Sequence, residues 1–506
     1  MTTKGKPPIM RQNSIIKKRK KAKILLIQKE QLLHNQDREL KQKHEAFDYD
    51  GLNDNKIRST ETFSSLSRYQ KESIGLLSVG TFLEYFDLLL YIHMAALLNQ
   101  LFFPKYDPDT NALLTALTFF STYLLRPIGA LLFGWIGDNI GRKTTVVITT
   151  FIMAGSCVVM ATLPTYDEIG IKATWFVIIC RIVQGMTSMG EIIGAQVYLT
   201  ETIKPPQQYS VVTLLSFLAA LGGTFALAVA SITTIYNFNW RYAFWIGAVV
   251  ALVGSVARTT LRETPDFADA KLRIKRRFEN INRDNKILEN NSIWKEKVNK
   301  TTALAFFLIQ CGWPVCFYIA FIHCGNILQN SFNYSPEQVI HHNFLLSMVE
   351  MLGILPLIYL SYYVYPVLII KIKFVIFTIF VLICPYLLDN VNTPFQLLII
   401  QSFIMAFVLE IVPGTSIFIR HFPVLKRFTY TAFLYALSRA LMFIITGVGC
   451  IYLTKYFGNY GLLAIIIPLL IGFAFGVLHF EKLEKEFGRH PQKKTQDASS
   501  IVTDVV

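Results

Sequence analysis

The sequence predicts an all-α integral membrane protein with twelve transmembrane helices in two six-helix halves and both termini cytoplasmic. Three observations predict it. Of 506 residues, 53% are hydrophobic and only 16% charged, against about 25% charged in soluble domains. Twelve apolar runs are each long enough for a hydrocarbon core of ~30 Å, which takes about 20 residues of helix. Basic residues then fall on alternate connections. One set carries Arg142, Lys143, Lys204, the middle loop, Lys371, Lys373, Arg420, Lys426 and Arg427, while the other carries only Lys105, Lys172 and Lys455. Cytoplasmic loops hold the excess of Lys and Arg, which orients the chain.

In chain order, residues 1–71 form a basic cytoplasmic tail, with a dense run from Arg11 to Lys23 suited to anionic lipid. Ile24 to Phe47 has one leucine per heptad, too little for a coiled coil, and reads as a frayed tail. The first apolar run begins only after Arg68, too late for a cleavable signal peptide.

Residues 72–261 hold the first six helices, expected at Ile74–Leu98, Ala112–Ile136, Thr144–Leu163, Ala173–Leu199, Val211–Tyr236 and Trp240–Leu261. A polar cytoplasmic loop, 262–300, follows. Residues 301–480 hold the second six, expected at Thr302–Leu328, Asn343–Tyr363, Pro366–Leu388, Phe395–Ile419, Phe428–Leu453 and Tyr460–Phe480. Residues 481–506 form a cytoplasmic C-terminal tail. Two halves of similar length place a substrate site at their interface near mid-membrane. No polar segment is long enough and apolar enough for a soluble catalytic domain, so an enzyme is not expected.

The net charge of +15 concentrates in the tails and middle loop. It reads as topology and lipid contact, not nucleic-acid binding. The seven cysteines all lie in apolar runs, with no CxxC and no zinc spacing. They read as packing residues, and neither metal nor cofactor is expected.

Gly134 to Lys143 is a short polar island between two apolar runs. Its glycines permit a sharp turn and close backbone approach, and Arg142 and Lys143 hold it in the cytoplasm. Asp138 stands out, because a turn needs no acid.

Charges inside the apolar runs cost about 2.5–3.5 kcal/mol each at mid-bilayer. Gly80, Glu84, Asp87 and Tyr91 share one face of the first helix. Arg126 in the second helix lies at a depth similar to that of Glu84. The two form either a buried ion pair that only fixes packing or a proton-carrying carboxylate tuned by a movable Arg. Glu84 and Asp87 are the candidate proton carriers. Arg181, Gln184, Ser188 and Glu191 make a polar stripe in the fourth helix, where Gly190 and Gly194 permit close packing. Tyr91, Arg126, Arg181, Gln184, Glu191 and Arg439 are the candidates for the substrate cavity. Glu350, Glu410 and His323 are further polar residues of the second half, His323 reading as packing or as a proton carrier.

Gly134 to Lys143 resembles the loop signature of the major facilitator superfamily, G-x-x-x-D-(R/K)-x-G-R-(R/K). The first half resembles the metabolite:proton symporters, which include proline/betaine, alpha-ketoglutarate and shikimate transporters. The residues that carry this are Glu84 to Asp87, Leu125 to Gly129, Arg181, Gln184, Gly185, Gly190, Glu191, Trp240, Arg241 and Glu263 to Pro265, over about Gly75 to Phe267. Asn139 stands where the signature has a basic residue, and Ser361 to Lys373 lacks the repeated signature of the second half.

The resemblance implies a major facilitator fold that alternates its access by rocking. It implies a gating motif of Gly134, Asp138, Gly141, Arg142 and Glu201, with Asp138 facing the N-terminal end of the eleventh helix and Arg142 paired with Glu201. It implies proton-coupled uptake of a small polar solute in a bacterial inner membrane, either an osmolyte such as proline or betaine or an organic acid. A membrane protein that has lost transport and serves as a sensor or scaffold is the alternative class.

Overall fold

The computed structural model describes residues 66–104, 123–236, 239–280 and 297–488. The basic run and leucine-bearing segment of the N-terminal tail lie outside them, as do residues 112–122 of the expected second helix.

Among the described residues the chain is helical, without strands. The first part comprises α1 (Arg68–Phe102), α2 (Arg126–Asn139), α3 (Arg142–Thr162), α4 (Ile171–Thr202), α5 (Gln207–Tyr236) and α6 (Arg241–Arg258). The amphipathic α7 (Pro265–Asn280) lies in the middle loop. The second part comprises α8 (Lys300–Gln310), α9 (Gly312–Phe317), α10 (Cys324–Phe332), α11 (Pro336–Tyr363), α12 (Pro366–Asp389), α13 (Pro394–Ala406), α14 (Thr415–Arg420), α15 (Val424–Phe457) and α16 (Gly461–Glu486). Nine stretches among the described residues are long and apolar enough to cross a membrane, one of them, Val424–Glu486, containing both α15 and α16.

Local chemistry explains several starts. Ser335 and Gln338 form a capping box at α11, and Thr393 and Gln396 another at α13, each followed by a proline in the first turn. Asn299 caps α8 by accepting from the Thr301 N–H at 2.9 Å.

Two expected spans are broken. Thr302–Leu328 is a stack of α8, α9, a π-helical turn (Tyr318–His323) and α10. Phe395–Ile419 stops at Ala406, and 407–414 runs irregularly before α14. Pro413 cannot donate a helical hydrogen bond. Irregular backbone at membrane depth is tolerated where it lines a cavity, and Ile411 and Val412 do line one.

α1 packs on α5, α5 on α11, and α2 on α15, so the two parts meet along two helix pairs. The largest apolar cluster joins Phe306, Phe418 and Phe443 to Tyr123, Ala130 and Val197 of the first part. A separate cluster in the first part gathers Phe86, Tyr91, Phe102, Trp240 and Phe244. Large apolar side chains such as Trp175, Val253, Tyr359 and Ile471 face outward, a surface suited to lipid.

Candidate functional site

The Gly134–Lys143 turn lies at one end of the bundle, here the loop end. Gly134 lets α2 touch α15: a Cβ there would sit 2.6 Å from the Thr429 Cα. That approach puts Asp138 against the start of α15, where its carboxylate accepts the backbone N–H groups of Phe428 (3.1 Å) and Thr429 (2.7 Å). Early helical N–H groups favour an anion. Arg142 donates to Asp138 at 2.7 Å, to Glu201 at 3.2 Å and to the Val424 carbonyl of α15 at 2.5 Å. Arg427 of α15 reaches back to Glu201 at 3.0 Å and to Asp266 of α7 at 3.4 Å.

Glu263 and Thr264 complete this network. The Glu263 carboxylate accepts the Arg142 backbone N–H at 2.9 Å, and Thr264 donates to Glu201 at 2.6 Å. Gly141 has no side chain where a Cβ would meet that Glu263 carboxylate. Asn139 takes no part and donates instead to the Trp135 carbonyl at 2.9 Å.

The second part has its own cluster at the same end, built from other residues. Glu484 of α16 accepts from Tyr365 (2.9 Å), lies 2.7 Å from His421 and pairs with Arg420 at 3.5 Å. Burial and the Glu484 carboxylate push the Tyr365 phenol well above its usual range, so it stays a neutral donor. Lys371 pairs with Glu481 at 2.5 Å. The Ser361–Lys373 connection, which lacks the signature, is thus anchored to α16 instead.

Deeper in the first part lies a layer of buried polar residues. Glu191 is bonded to Arg258 of α6 and to Thr150, and accepts from Thr149 at 3.1 Å. Arg258 also donates to the Leu76 carbonyl of α1 at 3.1 Å. It fits there because Gly80 has no Cβ, which would overlap the guanidinium. Arg181 lies 4.2 Å from the Tyr91 ring and donates to Gln184 at 2.9 Å. Asp87 accepts from the Cys157 thiol at 3.3 Å, so this cysteine does more than fill space.

Glu84 is buried among these groups, and one of its carboxylate oxygens has no partner. Arg126, Arg181, Asp87 and Glu191 are its charged neighbours. Glu84 and Arg126 nevertheless form no direct ion pair: Arg126 packs on the Tyr123 ring at 4.4 Å, and its Nε and Nη2 are unpartnered.

The central cavity, about 1000 Å³ including its open mouth, lies between the two parts. Of the residues expected to line it, Arg439 does. Tyr91, Arg126, Arg181, Gln184 and Glu191 are not among its lining residues. They pack between the helices of the first part; across the interface Tyr85 meets Tyr435 at 3.3 Å and Tyr123 meets Phe443 with ring centroids 4.4 Å apart. Sequence spacing gives the polar face of a helix but not which neighbour covers it. The lining residues include Tyr85, Trp313, Phe317, Glu350, Glu410 and Tyr435. Glu410 pairs with Lys373 at 3.2 Å. His323 lies away from that lining, 3.1 Å from Asn459, which donates to Asp389.

Sequence reasoning missed Arg258 and the role of Glu263. Arg258 is a lone charge near the end of an apolar run, so the rule that singled out Arg181 also applies to it. Glu263 had no such signal, because its partner lies 121 positions away in the chain.

A helical bundle whose two parts are bonded together at one end beside a central cavity is the architecture of a membrane transporter. The chain belongs to the Major Facilitator Superfamily, whose family model matches residues 75–446. It is 28% identical over 294 residues to the proline/betaine transporter of Escherichia coli (strain K12), covering 56% of this chain and 57% of that one. It is 31% identical over 205 residues to the putative proline/betaine transporter of Staphylococcus aureus (strain COL), covering 39% and 44%. The chain thus spans about half the length of the curated relatives it matches.

Among solved structures it resembles the proton:xylose symporter XylE bound to 6-bromo-6-deoxy-D-glucose, with TM-score 0.65, 13% identity and coverage of 82% and 95%. It also resembles the human organic anion transporter MFSD10, with TM-score 0.56, 16% identity and coverage of 82% and 100%. At such identities the likeness is one of fold.

Proposed function

We propose that this chain is a proton-coupled symporter that takes up a small polar organic solute, an osmolyte such as proline or glycine betaine. It would have twelve transmembrane helices in two halves, with both tails cytoplasmic, in a bacterial inner membrane. The observation that carries the reading is the Asp138–Arg142 network, which joins α2, α4 and α15 at the loop end. Breaking it would let the halves rock and part at that end. The proton would bind Glu84, with Asp87 next, since both are buried carboxylates with an unpartnered oxygen beside cationic neighbours. The relatives' name supports the osmolyte. An organic acid is the second reading, favoured by the unpartnered Nε of Arg439 at the cavity.

Uptake into proteoliposomes of labelled proline, betaine and alpha-ketoglutarate, with and without a pH gradient, tests the proposal. Accumulation of an osmolyte that collapses with the gradient is expected. Accumulation of the acid alone supports the second reading. No gradient-dependent accumulation of any solute would leave a sensor or scaffold.

A further inference from the structure

The central cavity holds three charged side chains whose partners differ. Glu410 has Lys373 within ion-pair distance. Glu350 lines the same cavity and has no ion-pair partner among the described residues. Arg439 has none either: Nη1 donates to the Gln310 side chain and carbonyl, both at 3.1 Å, and the buried Nε has no partner. Arg439 also lies near the Trp313 ring, its guanidinium carbon 5.8 Å from the centroid. One positive and one negative group therefore stand in the same cavity without an ion-pair partner. Isolated charges at this depth are costly unless paired, and a ligand can supply both counter-charges.

We propose that Arg439 and Glu350 bind the two ends of one zwitterion, the guanidinium taking its carboxylate and Glu350 its ammonium. The assignment deepens the osmolyte reading and rests on it. It also selects among osmolytes. A quaternary ammonium needs free aromatic faces, but Tyr435 already holds Arg439 at 3.4 Å, and Trp313 stacks on Phe317 at 5.0 Å. An ammonium with N–H groups instead donates directly to Glu350, a charge-assisted hydrogen bond. The cavity thus favours a primary or secondary ammonium zwitterion over a quaternary one.

Binding of L-proline, N,N-dimethylproline and cyclopentanecarboxylate to the purified full chain in nanodiscs tests this. The wild type is expected to bind proline about tenfold tighter, or more, than either analogue. Glu350→Gln should erase that preference by weakening proline, while cyclopentanecarboxylate, which has no ammonium for Glu350 to hold and gains from the lost like charge, binds no more weakly; Arg439→Gln should weaken both proline and cyclopentanecarboxylate. Glu350→Asp, which keeps the charge, should retain part of the preference. Equal wild-type binding of proline and cyclopentanecarboxylate overturns the inference without any variant and leaves the transporter reading standing. A Glu350→Gln protein that keeps the proline preference overturns it as well. Absence of binding and of gradient-driven uptake for all three probes removes the osmolyte reading and this inference together.

Discussion

The Asp138 carboxylate of α2 accepts the backbone N–H of Thr429 in α15 at 2.7 Å. The bond crosses between the two parts of the bundle, and the same carboxylate accepts from Arg142 and Phe428. An amide at this position has one acceptor oxygen and no charge. Asp138→Asn should therefore leave insertion and yield intact and lower uptake about tenfold or more, the scale of a lost charged hydrogen bond. Normal uptake by a fully expressed variant would remove the latch role.

Gly134 offers a steric test of the same contact. A methyl group there would lie 2.6 Å from the Thr429 Cα, which is backbone and cannot turn aside. Gly134→Ala should push α2 from α15 and loosen the loop end. Cysteines placed in the cavity wall would then react faster with a reagent applied from the loop side. Unchanged labelling would show that the helices absorb the methyl elsewhere.

Arg258 and Glu191 are both buried and bonded to each other. Removing one partner leaves an uncompensated buried charge, which costs about 3–5 kcal/mol, whereas removing both charges leaves none. Arg258→Gln should depress yield and melting temperature, and the double variant with Glu191→Gln should regain most of the loss. Additive losses in the double variant would mean the two side chains act independently.

Glu84 has no direct ion pair with Arg126, so it is not a simple brace for helix packing. Glu84→Gln should abolish uphill accumulation driven by a pH gradient while solute exchange at equal concentrations survives, since Gln mimics the protonated acid. Stability should change little. Gradient-driven accumulation at wild-type levels would shift the assignment to Asp87, with Asp87→Asn as the next variant.

Orientation is tested on the N-terminal tail. In right-side-out vesicles a protease should reach the Lys17–Lys21 run only after lysis. Cleavage from the outer surface would reverse the proposed sidedness.

Much of the architecture was legible in the chain because the bilayer imposes a one-dimensional rule. Length and apolarity mark a span, and Glu84, Asp87, Arg126, Arg181 and Glu191 stand out against that background wherever their partners lie. The loop signature likewise named Asp138 and Arg142, and the resemblance implied Glu201 as a partner; the fold brings the three together. Partnership was a matter of tertiary structure. Helical spacing puts Arg181, Gln184 and Glu191 on one stripe, yet Arg181 meets Tyr91 while Glu191 meets Arg258, because neighbouring helices cover different turns of α4. The cavity wall followed the same logic. Arg439 reaches it, whereas Tyr91, Arg126, Arg181, Gln184 and Glu191 do not, and Tyr85 and Tyr123 meet Tyr435 and Phe443 across the interface. Hydropathy records how far a side chain is from water along the chain. Only the packing of helices distant in sequence decides which buried charges face one another and which face the cavity.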